Sequence, residues 1–227
     1  EDIRDVQGGF PIRIIDRMVI DGLPADAPEL ALSRLLDEYR TAREQRFANT
    51  TQRVQAAAGL LVVGLQQRLL SSIEAFARSL RVHRATVVRQ WERSDGGTSE
   101  AIGTQDVASD LLIVAPDADD ERSEWTPEEL EEEESSQIEA VTAMAEAGLA
   151  RDASAESLWQ KEQAILDQME DIIGKFRHLP DAKTRRLIDW IRENLCPQLP
   201  TFGSRPSGSP AQWNNRRVII FTENREG

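Results

Sequence analysis

Residues 52–93 read QRVQAAAGLLVVGLQQRLLSSIEAFARSLRVHRATVVRQWER, and this stretch decides the class of fold. From about Gln52 to Leu70 the apolar residues cover a sector wide enough for a helix buried on several sides. Ser71-Ser72-Ile73-Glu74 then restarts the pattern as a capping box. Phe76, Leu80, Val87, Val88 and Trp91 continue at helical spacing to about Arg93, and Gly96-Gly97 ends the run. The longest apolar run, Ala56–Leu65, has ten residues, about half of what a membrane span needs. The stretch therefore predicts two packed helices of a mainly helical protein outside the membrane.

Moving outward, Asp26-Ala27-Pro28-Glu29 is a helix start: Asp26 can cap and Pro28 suits the first turn. Leu30, Leu32, Leu35, Leu36 and Tyr39 carry that helix to about Phe47. Helices packed antiparallel are expected across 28–93. On the other side, Thr126-Pro127-Glu128-Glu129 opens a helix reaching about Ala147. Another covers about 155–177, and Asp181 caps one that Pro197 stops. Residues 10–21 (FPIRIIDRMVID) and 217–222 (RVIIFT) read as strands, the latter short and β-branched enough to lie inside a parallel sheet. No repeat of fixed period is present.

Charge is divided rather than spread. The net charge is −13 with 40 acids and 27 Lys and Arg. Residues 106–134 hold 13 acids and one base, Arg122, so they carry −12 and the remainder −1. Residues 34–93 hold 11 Arg and five acids, a net of +6. An acidic pI of 4.7 thus conceals a basic block of the kind that contacts phosphates. Arg68, Arg78, Arg81 and Arg84 are its densest stretch and the candidate contacts to a DNA backbone; a solvated helix face of Glu/Arg pairs is the plainer reading of any one of them. The acidic stretch 95–125 reads as a solvated linker, or as a tract that competes with DNA for those arginines.

Much chemistry is excluded. A single cysteine, Cys196, allows no intramolecular disulfide and no thiolate zinc site, and beside Pro197 it reads as structural. His83, between Arg81 and Arg84, reads as a surface or interface residue, and His178 as a helix C-terminal cation. There is no GxxxxGK[ST] loop, no G-x-S-x-G elbow and no H-E-x-x-H. Without a signal peptide, a reducing, cytoplasmic setting is expected. The absence of an initiator Met and the ending at Gly227 suit a piece of a longer chain.

Three stretches, taken in order, resemble the Swi/Snf-type ATPases of helicase superfamily two, in their bacterial branch. Glu1-Asp2-Ile3 with Gly9-Phe10-Pro11-Ile12-Arg13 and Ile20-Asp21-Gly22-Leu23-Pro24 looks like the end of the first RecA-like lobe. Leu65–Phe76 is similar to the Lys-Arg-Leu-Leu-Ser-Ser pattern of the helical bracket between the lobes, with Gln67 where Lys is common. Asp181-Ala182-Lys183, Leu187-Ile188-Asp189-Trp190 and Arg217–Glu223 resemble the entry helix and first strand of the second lobe. Within the family the chain is also similar to the Snf2-like helicase of the DISARM phage-defence system.

The resemblance implies an order of parts: the end of lobe one at 1–24, an Arg-rich helical bracket at 25–94, an acidic insert at 95–125, a helical pair at 126–178, and the start of lobe two at 179–227. It implies a fold of helical inserts flanked by strands of two RecA-like lobes. It also implies a parent motor that uses ATP and magnesium, bound by residues outside this chain, and that translocates on double-stranded DNA, with defence proteins as further partners. The chain by itself is expected to hold no cofactor and to hydrolyse no ATP. A reading of another class is a helical interaction module without a motor, whose acidic insert binds a basic partner.

Overall fold

The computed structural model describes residues 17–94, 125–147, 149, 153–201, 203–204, 211–216 and 218. Within them lie six helices: α1 Pro28–Phe47, α2 Gln52–Ser71, α3 Ile73–Ser94, α4 Pro127–Glu146, α5 Ala153–Phe176 and α6 Ala182–Leu195. Their limits agree with the apolar periodicity to within two residues at each end. No strand occurs among the described residues. The strand expected over 10–21 is irregular chain at 17–21, and its remainder lies outside the described residues, as does 217–222 apart from Val218. The mainly helical class stands on its own. The acidic insert at 95–125 also lies outside the described residues, except for Trp125.

Two helix starts differ in detail from the expectation. Ala27, not Asp26, occupies the position before α1, and no side chain caps it; Pro28 compensates, since its missing N–H removes one donor that would need a partner. At the α2–α3 junction Ser72, rather than Ser71, turns the chain: its extended backbone breaks the helix and its Oγ accepts from the Ala75 N–H at 3.0 Å. The other starts hold. Thr126 and Glu129 form the reciprocal capping box of α4, and Asp181 accepts from the Thr184 N–H at 2.7 Å to start α6.

Helices α1–α5 belong to one compact unit, Asp26–His178. Its core has two parts. Leu32, Leu36, Tyr39 and Ala42 of α1 meet Val62 and Leu65 of α2, Phe76 and Leu80 of α3, and Ile165, Leu166, Met169 and Ile173 of α5. Phe47 at the far end of α1 meets Ala57, Ala58 and Leu61 at the start of α2, with Ile138, Val141 and Ala145 of α4. The start of α1 lies by the end of α2 and the reverse, so these helices run antiparallel, as a four-residue connection demands. Each large side chain buried here contributes about 1.5–3 kcal/mol.

The long-range pairs along α3 fix the register of its neighbours. Arg177 meets Glu74, Arg84 meets Asp167 and Glu170, and Trp91 stacks on Trp159 at 4.9 Å between ring centroids, so α5 runs antiparallel to α3. Arg78 meets Glu131 and Arg89 meets Glu139, so α4 runs parallel to it.

A second compact unit contains residues 179–221 with α6. At the C-terminus of α6 the buried Cys196 donates its Sγ–H to the Gln212 carbonyl at 3.2 Å, and the Asn214 N–H donates to the Leu195 carbonyl at 2.9 Å. The thiol is thus a structural tie, as its lone occurrence suggested.

Candidate functional site

The four arginines singled out by sequence lie on α2 and α3. Three of them face carboxylates of the same bundle. Arg68 Nη1 is 2.9 Å from Glu134, and Arg78 bridges Glu74 at 3.4 Å and Glu131 at 3.0 Å. Arg84 spans Asp167 and Glu170 of α5 with both of its terminal nitrogens. Arg81 is exposed on α3, with no ion pair among the described residues. Arg89, about three turns beyond Arg78 on the same side of α3, likewise reaches α4, through Glu139 at 2.9 Å. All these pairs remain partly wet, so each contributes tenths of a kcal/mol to about 1 kcal/mol. They set which helix lies against which more than they set stability.

A second cluster was not singled out by sequence and lies in the centre of the bundle. Arg43 and Arg46 of α1 are 1% and 6% exposed, and Glu146 of α4 and Glu162 of α5 are 3% and 0%. One oxygen of Glu146 accepts from Arg43 Nη1 at 2.9 Å and from Arg46 Nη2 at 2.8 Å. Glu162 accepts from Arg46 Nε at 2.8 Å and lies 3.8 Å from Arg43 Nη1. The two guanidiniums also pack on the Phe47 ring, 4.7 and 4.8 Å from its centroid. Two cations and two anions cancel, which is the condition for burying any of them.

The cluster continues into His83. Arg43 Nη1 donates to the Tyr39 hydroxyl at 3.1 Å, so the hydroxyl proton is free to point to His83 Nε2, 2.5 Å away. Nε2 is then the acceptor, and the Nδ1–H donates to Thr142 Oγ1 at 3.0 Å. His83 is fully buried, which corrects the surface or interface role expected from its arginine neighbours in sequence. It points inward while Arg81 and Arg84 point out, because residues 76, 80, 83 and 87 share one face of α3.

Burial and the neighbouring charges act together on the groups of this arrangement. Burial, reinforced by Arg43 and Arg46, holds the His83 pKa well below its ordinary value, so the imidazole is neutral. Burial likewise lifts the Tyr39 hydroxyl above its usual range. For Arg43 burial works against the charge, but Tyr39, Glu146 and Glu162 outweigh it and the pKa rises. Burial lifts the carboxyl of Glu162 while the two guanidiniums pull it down. His83 and Tyr39 are thereby held neutral and Arg43 charged, so this part of the cluster is a structural lock rather than an acid–base site.

Among the described residues no group of three or more His, Cys, Asp and Glu side chains is placed to hold a metal ion. No described helix is long and apolar enough to cross a membrane. His178 lies exposed just beyond the end of α5. No family model, no curated protein and no solved structure matches the chain.

Proposed function

We propose that this chain is the inter-lobe helical segment of an ATP-dependent DNA translocase of the Swi/Snf type, bracing the motor lobes and touching the DNA backbone. The reading extends to a motor of anti-phage defence working in the cytoplasm, with ATP and magnesium held by parts of the parent outside these residues. The observation that carries it is the order of the three family-like stretches. The middle one, Leu65–Phe76, spans the Ser72 break between α2 and α3, and Asp181–Trp190 is the capped start of α6. A helical bundle is the kind of brace that two lobes closing on DNA need. The row Arg68, Arg78, Arg81 and Arg84 supplies cations of the type that bind phosphates without reading sequence.

The internal pairing of Arg68, Arg78 and Arg84 favours a second reading, a helical interaction module whose charges serve its own packing. DNA binding separates the two. A motor segment should bind a 30-bp duplex of any sequence, with affinity falling about 100-fold between 50 and 200 mM salt if four phosphates are contacted. Arg81→Glu breaks no described ion pair, so it should leave the fold intact and reduce the salt slope by about 1. Fluorescence anisotropy of labelled duplex measures both. Absent or salt-independent binding by the intact chain would remove the motor reading.

A further inference from the structure

The two halves of α4 are held by different forces. From Ile138 onward the helix is anchored by apolar burial of Ile138, Val141 and Ala145 and by Glu146 in the central cluster. From Glu128 to Gln137 no residue is buried. That half carries six glutamates, and the described cross-helix ties it makes are Glu131 to Arg78 and Glu134 to Arg68. Two of the arginines assigned above to the DNA backbone are therefore covered by carboxylates on a half-helix with no buried anchor of its own. Carboxylate and phosphate oxygens recognise a guanidinium in the same way.

We propose that the first half of α4 is a displaceable latch: its carboxylates stand in for phosphates on Arg68 and Arg78, and a polyanion must lift it to reach them. The latch rests on the reading of that arginine row as a phosphate-contacting face. The capping box at Thr126 keeps the half-helix formed while it is seated, and Ile138 is the point about which it lifts. Surface ion pairs are weak singly and screened by salt, so the latch is labile by construction, while the second half of α4 stays packed.

The test uses the full chain, a 30-bp duplex and heparin as a second, non-nucleic polyanion. Glu131→Gln/Glu134→Gln should tighten duplex binding about 10-fold at 50 mM salt and by no more than about 2-fold at 300 mM. Glu128→Gln/Glu132→Gln removes the same charge from exposed positions of the same half-helix and should change affinity less than about 2-fold. In hydrogen exchange, amides 131–137 of the unaltered chain should open faster at high salt, while 138–146 should not. Equal tightening by both double variants reduces the effect to bulk charge and overturns the latch. A chain that binds duplex with unchanged affinity after Glu131→Gln/Glu134→Gln also overturns it, but leaves the DNA reading standing. If duplex is not bound yet heparin binds the latch variant more tightly than the unaltered chain, the DNA reading fails and the latch stands. If neither polyanion binds either protein, both fall.

Discussion

Glu146→Ala is expected to cost about 3–5 kcal/mol of folding stability, far more than any exposed charge in the chain. The cost is not the worth of the ion pair. It is the penalty for leaving two guanidiniums in the bundle with one carboxylate between them. A single oxygen of Glu146 serves both Arg43 and Arg46, and the other carboxylate, Glu162, is 3.8 Å from Arg43 Nη1. Urea unfolding followed by circular dichroism should show a lower midpoint with an unchanged slope. Glu134→Ala, which breaks a half-exposed pair, should cost no more than about 1 kcal/mol. A loss below about 1 kcal/mol for Glu146→Ala would mean that water reaches the cluster, and the lock described above would be wrong.

Removing all four charges together is expected to have the opposite result. Arg43→Met/Arg46→Met/Glu146→Met/Glu162→Leu replaces a balanced polar cluster by apolar groups of similar length, with no charge left behind. It is expected to be as stable as the parent sequence or more so, because desolvating four ions costs about as much as their attraction returns. What the cluster supplies is selectivity. Arg43 and Arg46 accept only a neighbour that brings a carboxylate to that depth, which seats α4 and α5 on α1 in one register.

How much of this was readable from sequence depends on the range of the interaction. Helix limits follow from local signals, and those were legible: Pro28, Thr126, Asp181, and apolar residues three and four apart. Even there, Ala27 and Ser72 show a cap moving by one residue when the chain has a neighbouring choice. The buried cluster depends on partners 100 and 116 residues apart, which no local pattern pairs. A signal for its depth was nevertheless present. Leu32, Leu36 and Tyr39 set a stripe on α1 that Arg43 and Arg46 continue in exact phase. His83 continues Phe76 and Leu80, and Glu162 leads into Ile165, Leu166 and Met169. A charged residue in phase with an apolar stripe is a candidate for burial with a partner, whereas composition alone assigns it to the surface. The row Arg68, Arg78 and Arg84 was legible as a basic block; the carboxylates of α4 and α5 that cover it were not.

Acid is expected to weaken the fold below pH 6.5, before most carboxylates titrate, and His83 is the cause. In the folded chain its Nε2 faces the Tyr39 hydroxyl, which already accepts from Arg43, and Arg43 and Arg46 stand near enough to repel a proton. Thr142 holds the other nitrogen and offers no compensating charge. The folded-state pKa is therefore below the unfolded value of about 6.5, and the unfolded chain binds the extra proton. Stability is therefore present above the unfolded value and falls as the pH drops below it, with a slope of at most about 1.4 kcal/mol per pH unit while the folded imidazole stays unprotonated. Glu162 acts in the other direction, because burial lifts its carboxyl and lets the folded state keep a proton that the unfolded chain has released. His83→Gln separates the two effects. Glutamine can accept from Tyr39 and donate to Thr142 without titrating, at a cost of about 1 kcal/mol at pH 7.5 for imperfect hydrogen bonds. The loss due to the imidazole should then be missing from its pH curve below about pH 6.5, and the unaltered chain should lose its advantage over the variant as the pH falls. Parallel curves for the two proteins across that window would show that His83 takes up its proton inside the folded bundle, and the buried neutral imidazole would have to be abandoned.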